Sequence, residues 1–97
     1  MGQGQVHYVE ETQTVRRIVA NPRCRWIWTE HAETQMKERG ISAPGIKTAL
    51  TNGQVILRES KKDILWRIRG RDIDGEMIEV VVAVFAAAIK IKVVTAF

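Results

Sequence analysis

The stretch that decides the fold is ILWRIRGRDIDGEMIEVVVAVFAAAIKIKVVTAF, residues 64–97. Three runs in it, 64–69, 78–85 and 89–97, are rich in β-branched and aromatic residues, which favour strands. Asp72-Ile73-Asp74-Gly75 has the composition of a hairpin turn between the first two runs. Gln54 to Glu59 is a further extended run, followed by a predicted turn at 60–63. Four consecutive strands joined by short turns predict an antiparallel meander.

Before Gly53 the apolar residues recur at helical spacing. The pattern predicts a helix from Thr12 to Ala20, and a second from Glu30 to Arg39, capped by Thr29 and ended by Gly40. A third helix begins after Ser42 and is closed by Asn52-Gly53, whereas residues 25–29 read as a brief extended entry segment. The predicted fold class is α+β, with two or three N-terminal helices packed on one face of a four-stranded antiparallel sheet.

Length, charge and cysteine content limit the classes of protein to consider. The chain has 97 residues, the usual length of one domain, which we place at 11–97. The first ten residues are rich in Gly and Gln, so we expect a disordered tail at 1–10. No uncharged run, that at 80–89 included, approaches the ~20 residues that span a bilayer, so no membrane partner is expected. The lone Cys24 excludes an internal disulfide and suits a reducing cytoplasm, the predicted location. Fifteen Lys and Arg against eleven Asp and Glu favour a polyanionic partner.

Basic residues collect on one face of the predicted sheet. Strand alternation separates Arg67 and Arg69 from Trp66 and Ile68, and it sets Lys90 and Lys92 opposite Ile91, Val93 and Thr95. The candidate phosphate-binding side chains on the sheet are therefore Arg67, Arg69, Lys90 and Lys92. The alternative is that these cations only keep a solvated face soluble and protect an exposed edge.

One helix carries a row of polar side chains suited to acid-base chemistry. His31, Gln35 and Arg39 are spaced at i, i+4 and i+8, so they lie along one side of the helix. They supply an imidazole, an amide and a guanidinium, which suits RNA cleavage by a 2′-hydroxyl through a pentacovalent phosphorus centre. The alternative for His31 is a structural residue hydrogen-bonded to a neighbouring loop.

Other kinds of site receive less support from the sequence. The two histidines, His7 and His31, do not have metal-ligand spacing, so neither a metal nor a cofactor is expected. Cys24 lies between two arginines, a charge environment that would lower its pKa, yet no histidine is near it in sequence to activate it. The three tryptophans either stack bases or anchor the helix layer to the sheet; they are Trp26, Trp28 and Trp66.

Three segments together resemble a known group of proteins. They are WTEHAETQMKERGIS at 28–42, RIRGRDIDGEMIEVVVAV at 67–84 and IKVVTAF at 91–97, and the shared motifs are His-Ala at 31–32, Arg-Gly-Ile at 39–41 and the terminal Val-Thr-Ala-Phe. Over residues 25–97 the chain resembles small bacterial proteins of the RelE/ParE-like toxin superfamily. The resemblance implies a RelE-like architecture and a toxin of a toxin-antitoxin pair, a metal-independent endoribonuclease acting on messenger RNA.

The resemblance also implies roles for individual residues. His31, Arg39 and Thr95 match motif positions that line the active site, with His31 as general acid or base and Thr95 positioning the phosphate. Arg39 and a strand arginine, Arg67 first and Arg69 second, would stabilise the phosphorane. Members of the superfamily often have Arg where this chain has Gln35. We predict that Gln35, like Arg69, Lys90 and Lys92, contacts the nucleic acid.

Expected partners are RNA, a cognate antitoxin protein and the ribosome. The superfamily also contains gyrase inhibitors, and a shared fold does not fix function. The alternative is therefore a non-enzymatic binding module, either a gyrase-inhibiting toxin or a protein-interaction domain.

Overall fold

The computed structural model describes residues 8–58 and 65–97. Its elements are α1 (Val9–Ala20), β1 (Arg25–Trp28), α2 (Glu30–Arg39), α3 (Ala43–Asn52), β2 (Gln54–Arg58), β3 (Leu65–Arg71), β4 (Met77–Phe85) and β5 (Lys90–Ala96). The predicted turn at 60–63, His7 and most of the predicted tail lie outside the described residues. Within them, no helix is long and apolar enough to cross a membrane.

The strands form one five-stranded mixed sheet in the order β1-β5-β4-β3-β2. The antiparallel pairing of the last four strands confirms the predicted meander. The prediction of a four-stranded, wholly antiparallel sheet is wrong, because the entry segment is strand β1 and pairs parallel to β5. β1 also separates α1 from α2, so the helices do not all precede the strands. A four-residue strand whose partner lies more than sixty residues away leaves no local pattern that would reveal the pairing.

Helix boundaries follow the predicted capping residues except at the start of α1. Thr29 Oγ accepts a hydrogen bond from the Ala32 N–H at 3.0 Å, and Gly40 takes the left-handed conformation, with φ of +67°, that ends α2. Ser42 caps α3 in the same way as Thr29 caps α2. α1 begins at Val9, inside the predicted disordered tail, because Tyr8 packs against the core and its carbonyl accepts from the Thr12 N–H.

All three helices pack on the same face of the sheet, which the text below calls the covered face. The core between them includes Ile46 and Leu50 of α3 with Ile68, Val80 and Ile91 of the sheet. α3 approaches β3 so closely that a Cβ atom on Gly70 would overlap the carbonyl group of Ala49.

The tryptophans belong to this core rather than to a free surface. Trp66 is only 9% exposed, and Trp26 and Trp28 pack against the core from β1, with their rings stacked 5.7 Å apart. Of the two interpretations of these residues, the anchor between helix layer and sheet is therefore confirmed.

Candidate functional site

The second face of the sheet has no helix over it in the described residues, and we call it the open face. Alternation along β1, β3, β4 and β5 turns one set of side chains to this face. Its charged residues are Arg25, Arg67, Arg69, Arg71, Glu79, Lys90 and Lys92. The four sheet cations singled out from the sequence therefore share one surface, as alternation predicts.

Thr95 lies on the open face, which corrects its predicted position beside Ile91 and Val93. Val82 pairs with Val93 whereas the adjacent Val81 pairs with Thr95, so β5 has one extra residue, Val94, at a β-bulge. The bulge reverses the alternation beyond it and turns Thr95 outward. Because Val81 also lies opposite Arg67, Thr95 and Arg67 occupy one row across three strands.

Arg67 and Arg69 are both engaged by a carboxylate that the sequence analysis did not include in the site. Arg67 Nη1 donates to Glu79 Oε1 at 3.1 Å, and Arg69 Nη2 donates to Glu79 Oε2 at 2.8 Å. The hydrogen bond from Arg69, followed by that from Arg67, lowers the pKa of Glu79, against an opposing effect of burial. A signal for this contact exists in the sequence, because a hairpin turn at 72–75 places Arg69 opposite Glu79.

An aromatic ring and two shallow depressions surround these ion pairs. The Arg67 guanidinium lies 4.7 Å from the centre of the Phe97 ring, a cation–π geometry. A depression of about 250 Å³ is lined by Arg67, Met77, Glu79 and Phe97. A second one, of about 480 Å³, shares Met77 and extends along Gln54, Arg69 and Arg71 to the end of α3. Both offer cationic and apolar groups to one ligand, and the first adds the aromatic ring of Phe97.

The cations on the β1–β5 side of the open face have different neighbours from Arg67 and Arg69. Lys90 Nζ lies 4.6 Å from the centre of the Phe85 ring, and Lys92 and Arg25 are exposed. In residues 8–58 and 65–97, no carboxylate forms an ion pair with any of these three cations. Within these ranges, an anionic ligand would meet no competing carboxylate at these three charges.

α2 lies along the edge of β5, beyond the residues that β1 pairs with. Thr29 Oγ donates to the Val94 carbonyl at 3.1 Å, and Gln35 Oε1 accepts from the Ala96 N–H at 2.9 Å. The amide oxygen of Gln35 thus satisfies a backbone donor of the β5 edge, and contact of Gln35 with a nucleic acid stays a prediction. Arginine has no acceptor atom and could not make this contact.

His31 and Arg39 lie one turn to either side of Gln35 along α2. Both are exposed, and within the described ranges neither forms a hydrogen bond or an ion pair. The alternative of a structural His31 bonded to a neighbouring loop therefore has no contact to support it in this part of the chain. Because His31 lies one turn before Gln35, it is on the side of α2 that faces the β5 edge.

Cys24 and metal-binding groups add nothing to this site. Partial burial raises the pKa of Cys24, with a smaller opposing effect of the Lys47 charge, which corrects the lowering expected from its arginine neighbours. Among the described residues, no three His, Cys, Asp or Glu side chains cluster in a way that could hold a metal ion.

Comparison with known proteins gives one match. A family model described as a domain of unknown function, DUF4258, matches residues 28–97, which include α2, α3, the whole described sheet except most of β1, and all the site residues named above except Arg25. Comparisons with the curated proteins and with the solved structures find no match. Since the matched segment covers more than two thirds of the chain, the protein belongs to the DUF4258 family.

Proposed function

We propose that the protein is a metal-independent endoribonuclease that binds messenger RNA on the open face, and that it is the toxin of a toxin-antitoxin pair. The observation that carries the proposal is the charge of this face, on which six arginines and lysines accompany one carboxylate among the described residues. Each phosphate that such a face neutralises releases counterions and favours binding. Phe85 and Phe97, at the same surface, suit unstacked bases.

The proposed chemistry is attack of the RNA 2′-hydroxyl on the adjacent phosphate. The bond from phosphorus to the 2′-oxygen forms as the bond to the 5′-oxygen breaks. His31, whose imidazole can accept or donate a proton, either removes the 2′-hydroxyl proton or protonates the departing 5′-oxygen, and water takes part in the other proton transfer. Thr95 donates its hydroxyl hydrogen to a phosphate oxygen, and Arg67, in the same row of the sheet, stabilises the charge of the phosphorane. Arg39 holds a further phosphate from α2.

Replacement of His31 by alanine tests the catalytic part of the proposal. We expect His31→Ala to slow cleavage of a model RNA, measured with a chelator present, by roughly 100-fold or more. The melting temperature should be almost unchanged, because His31 is exposed and has no polar contact in the described residues. Glu38→Ala, also exposed on α2, is the matched control. Equal cleavage by the two variants would remove His31 from the reaction.

A second function, a non-enzymatic protein-binding module, is favoured by the apolar side chains of the open face. Ile27, Met77 and Phe85 are 39%, 50% and 41% exposed among the cations. Such a mixture suits an acidic, amphipathic segment of a protein partner, either an antitoxin or a target such as gyrase. Growth inhibition that survives His31→Ala but is lost in Phe85→Glu would favour this function over RNA cleavage.

A further inference from the structure

Glu79 is the one carboxylate on the open face in residues 8–58 and 65–97, and it lies between two of the cations best placed to bind phosphate. One of its oxygens accepts from Arg67 at 3.1 Å, and the other accepts from Arg69 at 3.1 and 2.8 Å. The carboxylate therefore contacts both guanidinium groups at once, a geometry that a phosphate would also use.

A phosphate cannot occupy this place while Glu79 remains there. The two anions would compete for the same N–H donors, and their like charges would repel at short range in a partly desolvated site. Within the described residues, Arg25, Lys90 and Lys92 have no carboxylate partner, and this competition is found on the β3–β4 side of the face.

The ion pairs contribute little to holding the strand in place. Glu79 is fixed by its backbone, whose N–H and carbonyl both bond to Phe97, and Arg69 has a side chain that is 52% exposed. An ion pair as exposed as that of Arg69 contributes little to stability, and the Arg67 pair, with side chains 29% and 25% exposed, is screened less completely. A carboxylate in the middle of a basic surface therefore has a larger effect on anion binding than on folding.

We propose that Glu79 is a built-in competitor that occupies the phosphate site of Arg67 and Arg69 until an RNA phosphate displaces it. The inference rests on the proposed function and adds a selectivity to it. Displacement costs binding free energy, so a single phosphate binds weakly. A strand that also contacts Lys90 and Lys92 gains enough from the further phosphates to displace the carboxylate. The face thereby selects a polyanion of several nucleotides over a mononucleotide.

The test compares Glu79→Gln with Glu76→Gln by fluorescence anisotropy of a labelled ten-nucleotide single-stranded RNA. Both variants remove one negative charge, but Glu76 lies in the exposed hairpin turn and forms no ion pair in the described residues. We expect Glu79→Gln to bind about tenfold more tightly than wild type, since hydrogen bonds from charged groups are released to the ligand. Glu76→Gln should stay within about threefold of wild type, as a distant surface charge is screened by salt.

A salt series and a double variant separate competition from a change in net charge. Because the bound RNA contacts the same phosphates once Glu79 is displaced, the slope of log affinity against log salt should differ between wild type and Glu79→Gln by less than the ~0.7 that one added contact to a single strand contributes. The tighter binding of Glu79→Gln should persist at high salt, where an effect of net charge alone would be screened. In an Arg69→Gln background, most of the gain from Glu79→Gln should disappear.

Two results would overturn the inference while leaving RNA binding intact. Equal tightening by both variants would mean that only net charge matters, and weaker binding by Glu79→Gln would make the carboxylate an acceptor for the RNA itself. If neither wild type nor Glu76→Gln binds the RNA, and Glu79→Gln does not bind it either, the proposed function fails together with the inference.

Discussion

The two faces of β3 are built by alternate residues of one strand and obey different physical rules. Ile68 and Gly70 point to the covered face, where they meet α3, and both are buried. Arg67 and Arg69 point to the open face, where they meet a carboxylate and an aromatic ring. Close packing limits which side chains fit on the covered face, whereas the balance of charges determines which groups the side chains of the open face contact.

This difference predicts how substitutions should behave. On the covered face, an added methyl group has no space to occupy, so the cost is steric and appears in the free energy of unfolding. On the open face, a changed charge leaves packing intact, so its main effect appears in ligand binding. The variants below test that division, beginning with the largest expected effect on stability.

Gly70→Ala should damage the covered face most. The new Cβ would lie 2.8 Å from the Ala49 carbonyl carbon and closer still to its oxygen, so α3 would have to move away from β3. We expect a loss of about 2–4 kcal/mol, which lowers the melting temperature by roughly 10–20 °C in a domain of this size. Urea and thermal unfolding give both quantities.

Arg71→Ala is the matched control on the next residue of the same strand. Its side chain is exposed and donates to the Gly75 carbonyl at 3.0 Å, so its loss should cost less than about 1 kcal/mol. Comparable losses in the two variants would show that α3 adjusts easily and that the covered face is not limited by packing.

Gln35→Ala should have an intermediate effect, at the place where the helix layer meets the open face. It leaves the Ala96 N–H without its acceptor in a half-buried setting, at an expected cost of about 1–2 kcal/mol. Gln35→Glu keeps an acceptor oxygen at the same distance along the side chain and should retain most of the stability. Chemical denaturation at neutral pH measures the difference. If Glu is no better than Ala, the hydrogen bond is not what Gln35 contributes.

The sequence predicts those parts of the fold that depend on local patterns. The caps at Thr29 and Ser42 and the alternation along β3 are confirmed, because each is set by residues within a few positions of one another. The pairing of β1 with β5 and the bulge at Val94 depend on contacts between distant segments. No local period in the sequence reveals these two features. The predicted number of strands and the predicted face of Thr95 are therefore wrong.

The same distinction applies to the candidate site. The shared face of Arg67, Arg69, Lys90 and Lys92 follows from alternation alone. The contact with Glu79 requires the register of the hairpin, which the turn at 72–75 makes available in the sequence. The contact of Gln35 with Ala96 depends on where α2 packs along the β5 edge, which its own helical spacing cannot show. Roles assigned to such residues from type and spacing remain predictions.

The smallest expected effect concerns the pH dependence of the Glu79 ion pairs. Hydrogen bonds from Arg69 and Arg67 lower the pKa of Glu79 in the folded protein, so over the interval below its ordinary value the unfolded chain binds more protons. The ion pairs therefore stabilise the fold at pH 7 and lose this effect as the pH falls below about 4.3 and through the lowered pKa. The free energy of unfolding of wild type should exceed that of Glu79→Gln by less than about 1 kcal/mol at pH 7, and urea unfolding should show the difference shrinking as the pH falls through the lowered pKa. The same measurement on Glu76→Gln gives the effect of losing one exposed carboxylate, which is subtracted from the effect of Glu79→Gln. A difference in the free energy of unfolding that does not change with pH would mean that the ionised state of Glu79 contributes nothing to stability. The backbone pairing of the strands, without the ion pairs, would then account for the stability of the open face.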